Sequence, residues 1–191
     1  MENTPTSIWQ SSDEVVDYDE LELEIYQRIA EAIGEANPVL DIGCGEGKLA
    51  NFLAMTLGKE VRGIDISSTK LAKAREEARA QGVSHLVQFM EGDATRMNTT
   101  ADQSFAAIVN VYTLHELEHP YKALEELRRV LGVGGKLVMV DFMKGGKAEK
   151  LWGERYYTPQ EIKSMLQEAG FSEVAMEFVR DDVVFGSWTK V

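Results

Sequence analysis

The chain has a single cysteine, Cys44, and only four prolines among its 191 residues. One cysteine excludes an intramolecular disulfide and argues against a zinc site built on thiolates. No apolar run approaches the length of about 18 residues that a membrane-spanning helix needs, and the polar residues 1–5 do not resemble a signal peptide. These features predict a cytoplasmic protein that does not interact with membranes.

Basic residues are also scarce, because 20 Lys and Arg stand against 32 Asp and Glu, a formal net charge of −12. Such a charge repels a phosphate backbone, and no dense basic run offsets it, so we expect no nucleic-acid partner. The hydrophobic content of 44% and the charged content of 27% are those of an ordinary globular protein. The sequence leaves the oligomeric state open.

Strand and helix patterns alternate along the chain. Apolar runs at 39–42, 60–65, 86–90, 106–111 and 136–141 indicate strands, and helical patterns begin near 20, 48, 67, 120 and 158. A further pair of β-rich runs at 174–179 and 183–188 indicates an antiparallel strand pair. We therefore predict an α/β fold with a doubly wound sheet of seven strands, mostly parallel, covered by helices on both faces.

Residues 39–50, VLDIGCGEGKLA, are the most informative segment, because an apolar run leads into a glycine-rich turn and then a helical pattern. Glycine permits a sharp turn and close approach of a ligand, and the amides at a helix start can bind a polar group. Gly43, Gly45 and Gly47 are spaced G-x-G-x-G after Asp41, unlike the G-x-G-x-x-G of dinucleotide folds or a P-loop. The segment predicts a nucleotide-like ligand, and an ordinary tight turn is the alternative.

Further motifs follow in order, with G-I-D at 63–65, G-D-A at 92–94 and a Gly-Gly turn before the fifth strand. With the glycine turn they resemble class I S-adenosylmethionine-dependent methyltransferases over about residues 21–191, notably the small-molecule group that includes the ubiquinone and menaquinone C-methyltransferases. The resemblance implies a Rossmann-like fold, S-adenosylmethionine as cofactor, S-adenosylhomocysteine as product and a small-molecule methyl acceptor. The long substrate-covering insertion of many relatives is absent before Thr158.

The resemblance also implies cofactor-binding residues. They comprise the turn residues and five strand-end residues: Asp41, Gly43, Cys44, Gly45 and Gly47, then Asp65, Ile66, Asp93, Ala94 and Asn110. Asp65 is expected to accept from ribose hydroxyls, Ile66 to pack on the adenine, Asp93 to pair with its amino group, and Ala94 to face a ring nitrogen. The main-chain carbonyl of Asn110 would hold the methionyl ammonium. The alternatives are a helix cap for Asp65, a turn residue for Asp93, and no ligand for Asn110.

His115 is the candidate catalytic base, because it follows the fourth strand and an imidazole suits proton removal near neutral pH. A histidine that merely orients the loop is the alternative. Glu116 is a second candidate, His119 is expected to cap a helix, and no metal site is predicted despite their proximity to Glu118. Aromatic residues are the candidate substrate-binding residues or, alternatively, core anchors: Tyr112, Trp152, Tyr156 and Tyr157.

We expect a single methyltransferase domain over residues 1–191. Within it, 1–37 hold an N-terminal segment and helix that include Trp9 and Tyr18 and could act as a lid, 38–145 form the cofactor-binding core, and 146–191 add a helix and the strand pair. Alternatives are a non-catalytic S-adenosylmethionine-binding subunit that needs a partner chain, an NAD-dependent oxidoreductase, or a methyltransferase acting on nucleic acid or protein.

Overall fold

A computed structural model of the chain describes residues 19–180 and 182–191. The helices are α1 (Glu20–Ile33), α2 (Lys48–Leu57), α3 (Ser68–Ala80), α4 (Pro120–Val130), α5 (Lys147–Trp152) and α6 (Pro159–Glu168). The strands are β1 (Val39–Ile42), β2 (Val61–Asp65), β3 (Val87–Glu91), β4 (Phe105–Val111), β5 (Leu131–Phe142), β6 (Phe171–Arg180) and β7 (Val183–Lys190).

The strands form one sheet in the order β3-β2-β1-β4-β5-β7-β6. The first five strands pair in parallel, whereas β7 pairs antiparallel with both β5 and β6. The predicted seven-stranded, mostly parallel sheet with an antiparallel C-terminal pair is therefore confirmed. Within that pair β7 is the inner strand and β6 lies at the edge of the sheet.

Helices cover both faces because residues of each strand point alternately to opposite sides. In β4, Ala107 and Val109 belong to a buried cluster with residues of α1, α2 and α3, whereas Ile108 belongs to a second cluster with residues of α4 and α6. Parallel strands buried on both faces have nearly continuous apolar sequences, which is the pattern seen in β4. No helix in the described part of the chain is long and apolar enough to cross a membrane.

Three elements differ from the sequence-based expectation, the first being β6, which begins at Phe171 instead of 174. The fifth strand begins at Leu131 instead of 136, continuing directly from α4 through Gly134, whose φ is 72°. α5 was not predicted, since its six residues are too few to display a helical period. α1 begins at Glu20, as its helical pattern predicts, and its N-cap is Asp19, whose side chain accepts from the amide of Glu22. Trp9 and Tyr18, and with them about half of the possible lid over 1–37, lie outside the described residues.

Candidate active site

The three glycines of the turn between β1 and α2 all have positive φ, at 69° for Gly43, 53° for Gly45 and 78° for Gly47. A Cβ on Gly43 would meet the Thr113 side chain, and a Cβ on Gly47 would meet the Phe89 ring at 2.6 Å. A Cβ on Gly45 would meet nothing within 4 Å. Two glycines therefore allow close packing of the protein on itself, whereas Gly45 leaves its backbone accessible from a cavity.

Asp65 at the end of β2 orients the glycine turn. One carboxylate oxygen accepts from the amide of Gly45 at 2.8 Å, and the other accepts from the amide of Ser67, the N-cap of α3, at 2.8 Å. The N-cap of α3 is Ser67, whose own side chain accepts from the amide of Lys70, so Asp65 holds the capping residue and is not itself the helix cap. Because each carboxylate oxygen can accept more than one hydrogen bond, Asp65 also keeps acceptor capacity toward the cavity that it lines.

Asp41 is a buried carboxylate beneath the same turn. Its side-chain Oδ2 has no hydrogen-bond partner in the structure. Burial, and then the nearby charge of Asp65, raise the pKa of Asp41 to about 7. An unsatisfied buried carboxylate is unfavourable in the free protein, so this residue favours a ligand that brings a cation or a donor group.

Two cavities lie on either side of Gly43. One, of about 310 Å³, is lined by Asp41, by the glycine turn, and by Glu22 and Tyr26 of α1. The other, of about 220 Å³, is lined by residues that end β2 and β3 and by the loop after β4: Asp65, Ile66, Ser67, Asp93, Ala94, Thr113, Glu116 and Leu117. The pair provides space for an elongated ligand that crosses the glycine turn.

The smaller cavity brings together four of the residues predicted for the adenosine part. Ile66 is 77% exposed at its rim, and Ala94 is buried. The Oδ1 atom of Asp93 accepts from the amide of Thr95 at 2.8 Å, and this bond lowers the pKa of Asp93, which keeps it ionised as an acceptor. Together with Asp65, these residues give the cavity an apolar rim and two carboxylates.

Asn110 and Cys44 lie near the same edge of the sheet with different surroundings. Asn110, the residue before the end of β4, pairs with Ile42 and Met139. Both polar atoms of its buried side chain lack partners, so its carboxamide is an unused donor and acceptor. Burial and the charges of Asp41 and Asp65 raise the pKa of the Cys44 thiol. Cys44 is therefore held as a neutral thiol, in agreement with a small residue in a tight turn.

His115 is held by Asp141, the residue before the end of β5. The ring Nδ1 lies 2.5 Å from Oδ1 of Asp141, and the backbone amide of His115 donates to Oδ2 of the same carboxylate at 3.1 Å. The His115 side chain is 5% exposed. Burial lowers the pKa of this imidazole, but the bond to Asp141 and the surrounding carboxylates outweigh it, so the pKa lies above the ordinary value.

The second ring nitrogen of His115 faces the segment between α5 and α6. Nε2 lies 3.5 Å from Oε2 of Glu154, and the Tyr156 hydroxyl donates to that same oxygen at 2.7 Å. The His115 and Tyr156 rings lie 4.6 Å apart. A His–Asp pair whose other nitrogen meets a polar group can orient an oxygen or take up a proton.

The candidate substrate-binding aromatics divide into two sets. Tyr112, at a φ of 51°, stacks on Phe142 at 4.4 Å, and Phe142 in turn contacts Trp152 and Tyr156 edge-on. Tyr157 is buried in the cluster on the α4 and α6 face, and its hydroxyl has no partner. The first set connects His115 to the larger cavity, which Tyr112 lines.

His119 lies at the N-cap of α4, but its side chain makes no capping hydrogen bond. Across residues 19–180 and 182–191, no group of three or more His, Cys, Asp or Glu residues is arranged to hold a metal ion.

Sequence reasoning missed Asp141, Glu154 and Phe142, and also the contribution of α1 through Glu22 and Tyr26. Asp141 could have been found, because it stands near the carboxyl end of a parallel strand, where ligand-facing residues collect. Glu154 had no signal, since it follows a helix too short to recognise and meets His115 only through the fold.

Residues 40–139, more than half of the chain, match the model of a family described as a methyltransferase domain. The chain therefore belongs to the class I S-adenosylmethionine-dependent methyltransferase family, as the motifs predicted, and S-adenosylmethionine is the cofactor of this class.

Named relatives refine the comparison. The chain is 33% identical over 123 residues to methyltransferase GfsG of Streptomyces halstedii, covering 64% of this chain and 43% of that protein. It is 31% identical over 165 residues to demethylmenaquinone methyltransferase of Thermus thermophilus, covering 70% of this chain and 74% of that protein. The chain spans somewhat less than half the length of several curated relatives that it matches.

Among solved structures, the [4+2]-cyclase SpnF superposes with a TM-score of 0.80 at 22% identity, covering 87% of this chain and 80% of that one. At this identity the likeness shows the fold alone, and function must be argued from the site.

Proposed function

We propose that this protein is an S-adenosylmethionine-dependent methyltransferase that acts on a small-molecule acceptor. The observation that carries the proposal is Asp41, which lines a cavity at the glycine turn and whose buried Oδ2 has no hydrogen-bond partner. The methionyl ammonium of S-adenosylmethionine is positively charged and can donate a hydrogen bond to this carboxylate oxygen. Gly45, with open space beside its Cα, allows the ligand to approach the backbone.

The other residues around the turn fit the rest of the cofactor. Asp65 has acceptor capacity for ribose hydroxyls, and Ile66 and Asp93 offer an apolar surface and an acceptor for an adenine. Cys44, Ala94 and the Asn110 main chain complete the proposed binding set. S-adenosylmethionine supplies a methyl group already activated by a positively charged sulfur.

The chain's own residues then have three tasks: to align the acceptor with the donor, to exclude water, and to manage the acceptor's proton. His115, oriented by Asp141, is the proposed group that handles the proton. Tyr112, Trp152, Tyr156 and Tyr157 are the proposed acceptor-side residues.

We further propose a cytoplasmic enzyme that forms one domain over residues 1–191, with 38–145 as its cofactor-binding core. The net charge of −12 disfavours a nucleic-acid substrate, and the GfsG and demethylmenaquinone relatives are named as methyltransferases. No feature of the described residues favours the oxidoreductase or non-catalytic alternatives.

Calorimetry and thermal unfolding with S-adenosylmethionine, S-adenosylhomocysteine and NAD test the cofactor proposal. We expect binding of the two adenosyl-sulfur ligands, a Tm increase of roughly 5–10 °C at a hundredfold excess over Kd, and no binding of NAD. Asp93→Asn should weaken the binding about tenfold or more, through the loss of a charged acceptor.

Glu76→Gln, which removes an exposed carboxylate from α3, is the matched control and should bind normally. Binding of NAD alone would contradict the cofactor assignment. Binding of S-adenosylmethionine without transfer to any acceptor in a broad screen would instead support the non-catalytic subunit.

A further inference from the structure

Two side chains from different parts of the chain converge on one oxygen atom. The hydroxyl of Tyr156 donates to Oε2 of Glu154 at 2.7 Å, and Nε2 of His115 lies 3.5 Å from that same Oε2. The donors are held firmly, because Tyr156 is 2% exposed and the His115 side chain 5% exposed. The Tyr156 hydroxyl and His115 Nε2 thus form a small site for one acceptor oxygen atom, and in this structure a carboxylate oxygen of Glu154 occupies it.

The carboxylate that fills the site is much less constrained than the two donors. The Glu154 side chain is 51% exposed. Glu154 follows Gly153, which has a φ of 68° and open space around its Cα, at the point where α5 ends. A side chain in this position can move away by rotation without disturbing the packed core.

Nε2 is the one ring nitrogen of His115 that a methyl acceptor can reach. Nδ1 is bound to Asp141, which also receives the His115 amide. An acceptor can therefore meet this imidazole only at Nε2, and it must displace the Glu154 carboxylate to do so.

We propose that His115 and Tyr156 form the binding site for the acceptor's oxygen, that Glu154 occupies it when no acceptor is bound, and that the acceptor carries an acidic hydroxyl of the phenol or enol class. This inference rests on the proposed methyltransferase function and names the acceptor chemistry of the same site.

The charges around the site explain why an acidic hydroxyl is favoured. The groups that face the imidazole are Asp141 of β5, Glu116 of the short turn after β4, and Glu154 and Tyr156 of the segment before α6. With one carboxylate at each ring nitrogen, the charged imidazolium is stabilised. Desolvation and the bond to Glu154 raise the pKa of Tyr156, so its hydroxyl remains a donor.

An acceptor oxygen that is ionised replaces the Glu154 carboxylate without changing the local charge. If an acidic hydroxyl arrives ionised, its oxyanion pairs with the imidazolium, and if it arrives neutral, it transfers its proton to a neutral His115 and reaches the same ion pair. The acceptor oxygen then forms the new C–O bond, the donor's C–S bond breaks with its electron pair going to sulfur, and the proton stays on Nε2. An aliphatic alcohol, far less acidic than an imidazolium, does not reach this ion pair.

The oxygen site is connected to the cofactor side by aromatic contacts. Tyr156 contacts Phe142, which stacks on Tyr112, and Tyr112 lines the cavity beneath the glycine turn. These rings provide an apolar surface against which a planar acceptor can pack while its oxygen faces His115.

The first test follows the titration of His115 by NMR in the full-length protein, with Glu154→Gln as the variant and Glu118→Gln as the control. Glu118 is an exposed carboxylate on the loop after β4. We expect E154Q to lower the pKa of His115 and E118Q to leave it nearly unchanged. An unchanged titration in E154Q would overturn the proposal, even if no acceptor has been found.

The second test compares phenols, enols, aliphatic alcohols, amines and thiols as acceptors with labelled S-adenosylmethionine. We expect transfer to phenolic or enolic oxygen, a KM for that acceptor about threefold to tenfold lower in E154Q, and a large loss of kcat in Tyr156→Phe. Transfer only to amines or thiols, or a raised KM in E154Q, would refute the oxygen site while leaving methyl transfer established. Failure to bind S-adenosylmethionine would instead count against the proposed function.

Discussion

Asp41 shows how one residue can oppose folding and favour binding at the same time. Its pKa is raised from 3.8 to about 7 in the folded state. The folded state therefore holds the proton more tightly than the unfolded state, so Asp41 destabilises the free protein progressively as the pH rises from about 4 to 7. The magnitude is on the order of a few kcal/mol at neutral pH.

We predict that Asp41→Asn loses less stability than the wild type between pH 5 and pH 8 when no ligand is present, because the ionising group is gone. The same change should weaken S-adenosylmethionine binding at least tenfold, since a charged partner is lost. Urea unfolding at both pH values and calorimetry measure the two effects. Equal pH dependence in the two proteins would show that Asp41 is not a perturbed acid.

His115 and Asp141 form the second pair that matters at the level of single residues. Because the carboxylate of Asp141 raises the pKa of His115, Asp141→Asn should lower it, leaving burial as the larger influence. Methyl transfer should fall by about 10²-fold or more, as expected for the loss of an oriented proton acceptor. NMR titration of the His115 imidazole gives the first result, and steady-state kinetics the second.

The same pair makes a prediction about stability. A histidine with a raised pKa contributes stability that is complete below about pH 6.5 and is lost as the pH rises through the folded-state pKa. The stability difference between the wild type and D141N should therefore be larger at pH 6 than at pH 8.5. An equal difference at the two pH values would indicate that the pair acts only through contacts that do not depend on protonation.

At the level of the elements, the glycine turn between β1 and α2 contains a glycine with open space beside it, Gly45, and a glycine packed against other residues, Gly47. The sequence does not distinguish the two. Gly45 and Gly47 share a positive φ, so an alanine at either is strained by about 1 kcal/mol. Of these two glycines, only Gly47 would also bring an added Cβ into collision, with Phe89 and Ala74.

We predict that Gly45→Ala folds with a modest loss of stability but binds S-adenosylmethionine weakly or not at all. Gly47→Ala should lose about 2–4 kcal/mol of stability, since overpacking adds to the backbone strain. Urea unfolding and calorimetry separate the two effects. If G45A binds the cofactor normally, the open space beside Gly45 is not where the ligand lies.

Element prediction from the sequence succeeded where a pattern was long enough to repeat. Strands β1 to β4 lie within one or two residues of the predicted runs, because continuous apolar segments flanked by glycine and polar turns leave little ambiguity. α5 was missed because six residues do not make a period, and the early start of β5 was missed because glycines usually mark a turn.

At the level of the whole molecule, the net charge of −12 is a uniform source of repulsion in the compact state. Raising NaCl from about 0.05 to 0.5 M shortens the Debye length and so screens the repulsion between like charges. We predict that this increases Tm at pH 7.5 and has little effect near pH 5. Differential scanning calorimetry at both pH values measures this. A fall in Tm with salt at pH 7.5 would mean that attractive surface ion pairs outweigh the repulsion.

The sequence by itself determined the alternation of strands and helices, the glycine turn with its leading Asp41, and the family to which the chain belongs. These features are local, since propensity, periodicity and motif spacing act over a few residues. Only the tertiary structure decided which groups meet across the chain. Asp141 and Glu154 lie 26 and 39 positions from His115, and their contact with its two ring nitrogens follows from strand order and loop placement, which no local pattern encodes.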